Sequence, residues 1–446
     1  MQEINRRKFM KQTGTAGLVA AAPLLRTGSA KASANDTINV AVMGIRSRGT
    51  DHAVVFARLP NVNVAVLCDI DERLFPKTLA SVEEIAGKRP QTETDIRKVL
   101  ENKEIDVVSI AAPNHWHALG TIWACQAGKD VYVEKPASYN ISEGRKMVEA
   151  ARKYGRIVQV GTQSRSEAII QSAMDFLHAG KLGKLYMVKC VVFRPRESLG
   201  RKSNSAVPPG VHYDLWRGPA PWRPFNENRF HYNWHWFWET GNGETGNNGP
   251  HYTDMARWAL QKYEHPRKIH SVGGYDVFDS DQETPNTQLS IMEYADGTRV
   301  QMEVRGLYTN SEDGMTMGLL MYGSEGWMRL GGESWATYFG RKNEPGEHRS
   351  AKEEAAAKGT KKAVDEDTPH FANFIDSVRS RKQENLNADI LEGHLSTSMC
   401  HLSNIAYRTG RQVTFDSANE NFPGDAEANS YLTREYRYPF VVPDKV

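Results

Sequence analysis

Cysteine is scarce in this chain: Cys68, Cys125, Cys190 and Cys400 are the only four among 446 residues, and no two form a Cys-x-x-Cys pair. That spacing supplies neither a zinc-binding pattern nor a compact disulfide framework, so buried thiols are expected. An excess of one charge is also lacking. Lysine plus arginine total 56 against 54 for aspartate plus glutamate, which leaves no electrostatic footprint for nucleic acid or an anionic surface. Beyond the N-terminal region no apolar run reaches the roughly 18 residues needed to cross a bilayer. These absences leave a small uncharged ligand as the expected partner. At 446 residues the chain exceeds one core and is expected to form two domains after its N-terminal segment.

That segment, residues 1–34, reads as a targeting signal. "NRRKFMKQTGTAGLVAAAPLLRTGSAKA" runs from Arg6 and Arg7 through a weakly apolar stretch to Ala30-Lys31-Ala32, a small-x-small cleavage pattern. The paired arginines followed by x-Phe-Met-Lys resemble a twin-arginine translocation signal, a route used by folded, cofactor-loaded proteins. The mature protein is then expected to be periplasmic, with no membrane anchor.

From residue 38 the pattern becomes that of alternating strands and helices. "TINVAVMG" has strand character and "IRSRGTDHAVVFARLP" spaces its apolar residues as a helix does. "VNVAVLCD" is a second strand, ending in Asp69, 25 residues after Gly44. Between strand and helix the turn reads Gly44-x-Arg46-x-x-Gly49, a dinucleotide fingerprint whose second glycine has become arginine. Gly44 serves the tight turn and Gly49 the helix–strand packing, and amides at the helix start can meet a pyrophosphate. Asp69 is placed to accept a hydrogen bond from the ribose hydroxyls, which favours NAD over NADP, although Arg73 stands close enough in sequence to meet a 2′-phosphate. "IDVVSIAAPNHWHALGTIWACQAG" and "KDVYVEKPAS" continue the rhythm. Strand C-termini line the cleft of an open parallel sheet, which brings Asn114, His117, Glu134 and Lys135 together.

The glycine turn, the acid after the second strand, "APNHWH", "EKP" and "GPHYTDMARW" together resemble the Gfo/Idh/MocA oxidoreductase family. The resemblance implies an α/β protein: a Rossmann domain over 35–160, a doubly wound parallel sheet, then an α+β substrate domain over 161–446 built on a large, mostly antiparallel sheet. It implies NAD as cofactor, Lys135 near the nicotinamide and the substrate hydroxyl, and a cis bond before Pro136. His251 and Asp254 match the family's D-x-x-x-H-x-x-D pattern, but position 247 is asparagine, with Glu244 three residues earlier. The expected cofactor-binding set is Gly44, Arg46, Ser47, Arg48, Gly49, Asp69, Asn114, His117, Glu134, Lys135 and Gln163; the expected substrate-binding set is Arg165, Trp236, Asn247 and Asp254.

Oxidising an alcohol needs a base for the hydroxyl proton. His251 is the expected base with Lys135 polarising the oxygen, and the reverse assignment stands beside it. Trp216, Trp222, Trp234, Trp236, Trp238 and Trp258 crowd one short region, as aromatic faces that stack on sugar rings would, although a Trp-rich core would claim some of them. His231 and His235 stand at i, i+4 but lack an evident third ligand, so no metal is expected. The resulting expectation is an exported NAD-linked oxidoreductase of sugars or glycosides. A redox-neutral glycosidase that oxidises, eliminates, hydrates and re-reduces is the alternative, and a non-catalytic sugar-binding protein the third. A homo-oligomer is expected through the exposed sheet face common in the family.

Overall fold

The computed structural model describes residues 37–357 and 367–446; the signal expected over residues 1–34 lies outside the described residues. Residues 38–446 form one compact unit containing two sheets.

The first sheet is assembled by alternation. Strand β1 (Ile38–Met43) leads into α1 (Arg48–Arg58), β2 (Val62–Cys68), α2 (Phe75–Ala86), β3 (Gln91–Glu93), α3 (Ile96–Glu101), β4 (Val107–Ile110), α4 (Asn114–Gln126), β5 (Asp130–Val133), α5 (Ile141–Lys153) and β6 (Val158–Val160). The strands pair in parallel in the order β3-β2-β1-β4-β5-β6. Both faces are covered, so the central strands are continuous apolar runs, with every residue of β4 and β5 buried. The order reverses beside β1, and the cleft opens at the C-terminal ends of β1 and β4.

The second sheet follows α6 (Ala168–His178) and β7 (Leu185–Phe193). Two short helices, α7 (Tyr213–Arg217) and α8 (Gly243–Asn247), two 3-10 turns and then the longer α9 (Gly249–Leu260) intervene. Strands β8 (Lys268–Gly274), β9 (Thr287–Glu293), β10 (Arg299–Arg305), β11 (Met317–Gly323), β12 (Gly326–Leu330), β13 (Ser334–Phe339) and β14 (Glu344–Ser350) form the sheet with β7. Helices α10 (Ala351–Ala357), α11 (Thr368–Ser380) and α12 (Ile390–Thr409), the strand β15 (Val413–Thr414) and α13 (Ala426–Ser430) complete the chain. The strand order is β14-β13-β12-β11-β7-β10-β9-β8-β15, antiparallel except for the β7/β10 pair. One face buries Val188, Cys190, Met302 and Met321 against α6, α9 and α12. The other carries a stack of Tyr322, Trp327 and Tyr338.

All six strands of the parallel sheet lie before residue 161, yet its cores draw on later segments. Phe371, Phe374, Ile375 and Val378 of α11 pack with Val40, Phe56 and Tyr132, and Ile390, Phe440 and Val442 join the core on Val108 and Ile122. All four cysteines are free and buried. Among the described residues no helix is long and apolar enough to cross a membrane.

Candidate active site

The cleft, about 310 Å³, is walled by the β1–α1 turn, the exits of β2, β4 and β5, and the region from His231 to Asn248. Its turn is built by exclusion. Gly44 has φ +82°, and a Cβ there would lie 2.8 Å from the Ala112 amide nitrogen; a Cβ on Gly49 would lie 1.6 Å from the Gly44 carbonyl oxygen. Gly49 thus sets how closely α1 approaches the strand and does not itself line the cleft, whereas Gly44, Arg46, Ser47 and Arg48 do. Asp69 accepts from the Ile45 amide (2.7 Å) and the Asp71 amide (2.9 Å). Burial pushes its carboxyl up to about 6 against the pull of those amides. Arg73 is bound through two nitrogens to Asp71, each at 2.7 Å, so its guanidinium is committed before any 2′-phosphate could claim it. Arg46 is exposed at the cleft and forms no salt bridge among the described residues. Asn114 is buried in the cleft wall, donates to Asn242 (2.8 Å) and keeps its Oδ1 without a partner. A tight turn that opens on Gly44, the N-terminus of an 11-residue helix, a carboxylate at the β2 exit and an orphaned amide oxygen are a donor and acceptor set that fits an NAD-type dinucleotide.

Glu134 and Lys135 leave the end of β5 in different directions. The Glu134 carboxylate receives Arg48 Nε (2.8 Å), His52 Nε2 (3.0 Å), Gln163 Nε2 (3.1 Å) and the Lys135 amide (3.1 Å). Burial alone would raise its pKa, but Arg48 and His52 outweigh it and hold it well below the usual carboxylate range. Arg48 in turn grips Asp367 with two nitrogens. These contacts make Glu134, Arg48 and Gln163 a buried ionic brace that fixes the strand exit; Gln163 does not reach the cleft. The Lys135 ammonium points the other way, donating to the Asn247 carbonyl (2.9 Å) and lying 3.4 Å from its Oδ1. Burial lowers the Lys135 pKa, Glu134 opposes the shift and Arg48 adds to it. The Lys135–Pro136 bond is cis.

Other expected residues are distributed unevenly. His117 lines the cleft, but its ring nitrogens lie 2.7 Å from the carbonyls of Ala112 and Pro136, so it braces two strand exits and presents no free nitrogen. Asn247 lines the cleft. Asp254 is buried behind it, paired with Arg165 (2.7 Å) and Ser396 (2.7 Å), and neither Arg165 nor Asp254 lines the cleft. Glu244 is held by Arg196 (3.0 Å), which removes it as a stand-in for a carboxylate at 247. His251 is half-buried outside the cleft lining; burial, then the Lys135 charge, lowers its pKa to about 3. Among the six clustered tryptophans, Trp216 and Trp234 line the cleft, joined there by Trp116 of α4; Trp236 is 4% exposed, outside the lining and under the Arg196 guanidinium, and Trp222 is 57% exposed.

His231 and His235 occupy a 3-10 turn, His231–Trp236, and diverge. His231 meets Asp71 at 2.9 Å. His235 lines the cleft, stacks on Trp234 (3.6 Å between centroids) and donates Nδ1–H to the Tyr232 carbonyl (2.6 Å). Burial first, then Lys135 and Arg196, lower its pKa to about 3, so the ring is neutral with its Nε2 lone pair free to accept. Its sequence signal was the aromatic repeat around it; the i, i+4 spacing from His231 offered only a metal pair without a third ligand.

Comparison with known proteins agrees with this geometry. Residues 38–162 match the description "oxidoreductase family, NAD-binding Rossmann fold", and 196–315 and 354–442 match its C-terminal alpha/beta domain. A glycosyl hydrolase family 109 protein of Shewanella sp. (strain W3-18-1) is 29% identical over 174 residues, 34% of this chain and 38% of that protein; the match thus spans well under half of this curated relative. The WlbA dehydrogenase of Chromobacterium violaceum, solved with NADH and UDP-GlcNAcA, superposes with a TM-score of 0.63 at 20% identity, covering 86% of this chain and 97% of that one. An aldose-aldose oxidoreductase of Caulobacter crescentus, complexed with glycerol, gives 0.62 at 18%, covering 85% and 100%. Both domain descriptions, matched in order over well more than half of the sequence, show that this chain belongs to the Gfo/Idh/MocA oxidoreductase family.

Proposed function

We propose that the protein is an NAD-dependent oxidoreductase acting on a hydroxyl group of a sugar or glycoside. The observation that carries this reading is the Lys135 ammonium, held at 2.9 Å by a neutral carbonyl of Asn247 in the same cleft as the dinucleotide turn. A carboxylate at 247 would hold the proton on Lys135; an amide cannot, and burial lowers the lysine pKa further. Lys135 is therefore the better proton acceptor, and His251 the supporting group, the reverse of the first expectation. Bound NAD supplies the acceptor for the hydride that leaves the carbinol carbon. Lys135 takes the hydroxyl proton, Asn247 aims Nζ, and His235 accepts a hydrogen bond from a neighbouring hydroxyl. Trp216, Tyr232 and Trp234 offer aromatic faces to the ring. The commitment of Arg73 to Asp71 supports NAD over NADP.

The glycosidase reading has its own support in the relative named as a glycosyl hydrolase. A ketone at C3 acidifies the C2 proton, the C1 substituent leaves, and water adds. The twin arginines at 6 and 7 support export to the periplasm, where no soluble NAD pool exists, so the cofactor would stay bound through many turnovers. The outer face of the nine-stranded sheet, with Tyr322, Trp327 and Tyr338 stacked on it, supports self-association.

The test is to incubate dialysed enzyme with glycosides in deuterated water. Keto-sugar formation that needs a second sugar as acceptor supports the oxidoreductase, and free sugar deuterated at C2 supports the glycosidase. Lys135→Met should lower turnover by about two to four orders of magnitude with NAD still bound. Normal turnover of that variant would remove Lys135 from the chemistry.

A further inference from the structure

A second cavity, about 280 Å³, shares no lining residue with the cleft. It lies between the loop after β5, the middle of α12 and the segment from Ser430 to Arg434. None of the residues lining it is acidic, yet two guanidinium groups face it, Arg408 and Arg434. Arg408 lies over the rings of Trp238 (4.9 Å) and Tyr431 (4.1 Å), and Arg434 over Tyr139 (4.2 Å) while donating to the Glu239 carbonyl (3.0 Å). Neither forms a salt bridge among the described residues. Stacking fixes both planes and leaves their remaining N–H groups for an acceptor.

The floor makes an independent demand. His401 is 4% exposed and lines the cavity; its Nε2–H donates to the Ser138 carbonyl (3.1 Å), which fixes the tautomer and leaves Nδ1 as a lone-pair acceptor with no protein partner. Ser430 and Thr433 add hydroxyls at the rim. Two cations, a buried acceptor and hydroxyls call for a ligand with an anionic head and at least one hydroxyl donor. We propose that this cavity binds a small hydroxylated anion, a sugar acid or a sugar phosphate, independently of the cleft.

The test is calorimetric titration of glucuronate, glucose 6-phosphate and glucose into NAD-saturated protein, into Arg408→Gln and Arg434→Gln, and into Lys135→Met. Either anion should show a binding event that glucose lacks and that persists when the cleft is saturated with glucose in Lys135→Met. Each arginine variant should weaken that binding by about tenfold, the loss expected for one charge-assisted contact, while Lys135→Met leaves it unchanged. The preferred anion identifies the head group. Arg408→Gln should melt like the parent, because Arg408 is exposed; Arg434→Gln gives up the bond to the Glu239 carbonyl, so its titration is run below its own melting temperature and Arg408→Gln decides the case if it unfolds. No binding of either anion, equal binding to both arginine variants, or a loss confined to Lys135→Met would overturn the proposal. Activity in the cleft is read separately, so failure here does not touch the oxidoreductase reading.

Discussion

At the scale of single residues, the cleft is decided by where protons are held. Lys135 has no carboxylate on its ammonium because Glu134 is turned into the brace with Arg48 and His52. His235 is the complementary group: neutral, stacked, and fixed in one tautomer by the Tyr232 carbonyl. If its Nε2 reads a substrate hydroxyl, His235→Asn, which keeps a donor near Tyr232 but loses the distant acceptor, should cost about ten- to hundredfold in kcat/KM. The same variant should narrow the difference between glycosides that differ at one hydroxyl, with NAD affinity unchanged. Steady-state kinetics across such a pair, with a cofactor titration alongside, checks both outcomes.

At the scale of elements, the close meeting of β1 and α1 is a contact between Gly49 and the Gly44 carbonyl, where a methyl group would sit 1.6 Å from the oxygen. Gly49→Ala should therefore push the helix off the strand, costing about 1–3 kcal/mol and weakening NAD binding through displaced turn amides. Urea unfolding and a cofactor titration measure the two effects. The strands β1, β2, β4 and β5 were legible because parallel strands buried on both faces are bare apolar runs, and their exits named the cleft. Gly44, Asp69 and Lys135 were legible for the same reason. Arg165 and Asp254 lie off the cleft because partners from far along the chain claim them, Glu392 and Ser396 respectively, and Gln163 is turned inward to Tyr132 and Glu134. Arg48 bridging to Asp367 spans 319 positions, beyond any local periodicity. His235 was not singled out because its i, i+4 spacing from His231 offered only a metal pair without a third ligand, and the turn that carries both is 3-10, where that spacing does not share one face.

At the scale of the whole molecule, burial keeps many histidines neutral. It lowers His231, His370 and His394 to about 4, and His115, His235, His251 and His401 to about 3. In the unfolded chain each takes a proton near pH 6.5, so these groups favour folding fully above that pH and lose their contribution as pH falls toward 4. Asp69, raised to about 6, and Glu143, raised to about 7, act oppositely, because their protonation on acidification favours the folded state. Seven groups against two set the direction. The melting temperature should fall between pH 7 and pH 4.5, and a scan across that range checks it; a flat or rising profile would mean the acids dominate.

The return of α11 to the parallel sheet separates the order of synthesis from the order of folding. When residues 38–160 have left the ribosome, all six strands exist, but the apolar surface that Phe371, Phe374 and Val378 will cover is still open to water. The last piece, Phe440 with Val442, arrives about 280 residues after β6. The nucleotide-binding half is therefore completed late although it is made first, and a nascent chain has no finished core behind its dinucleotide turn until Val442 has been made.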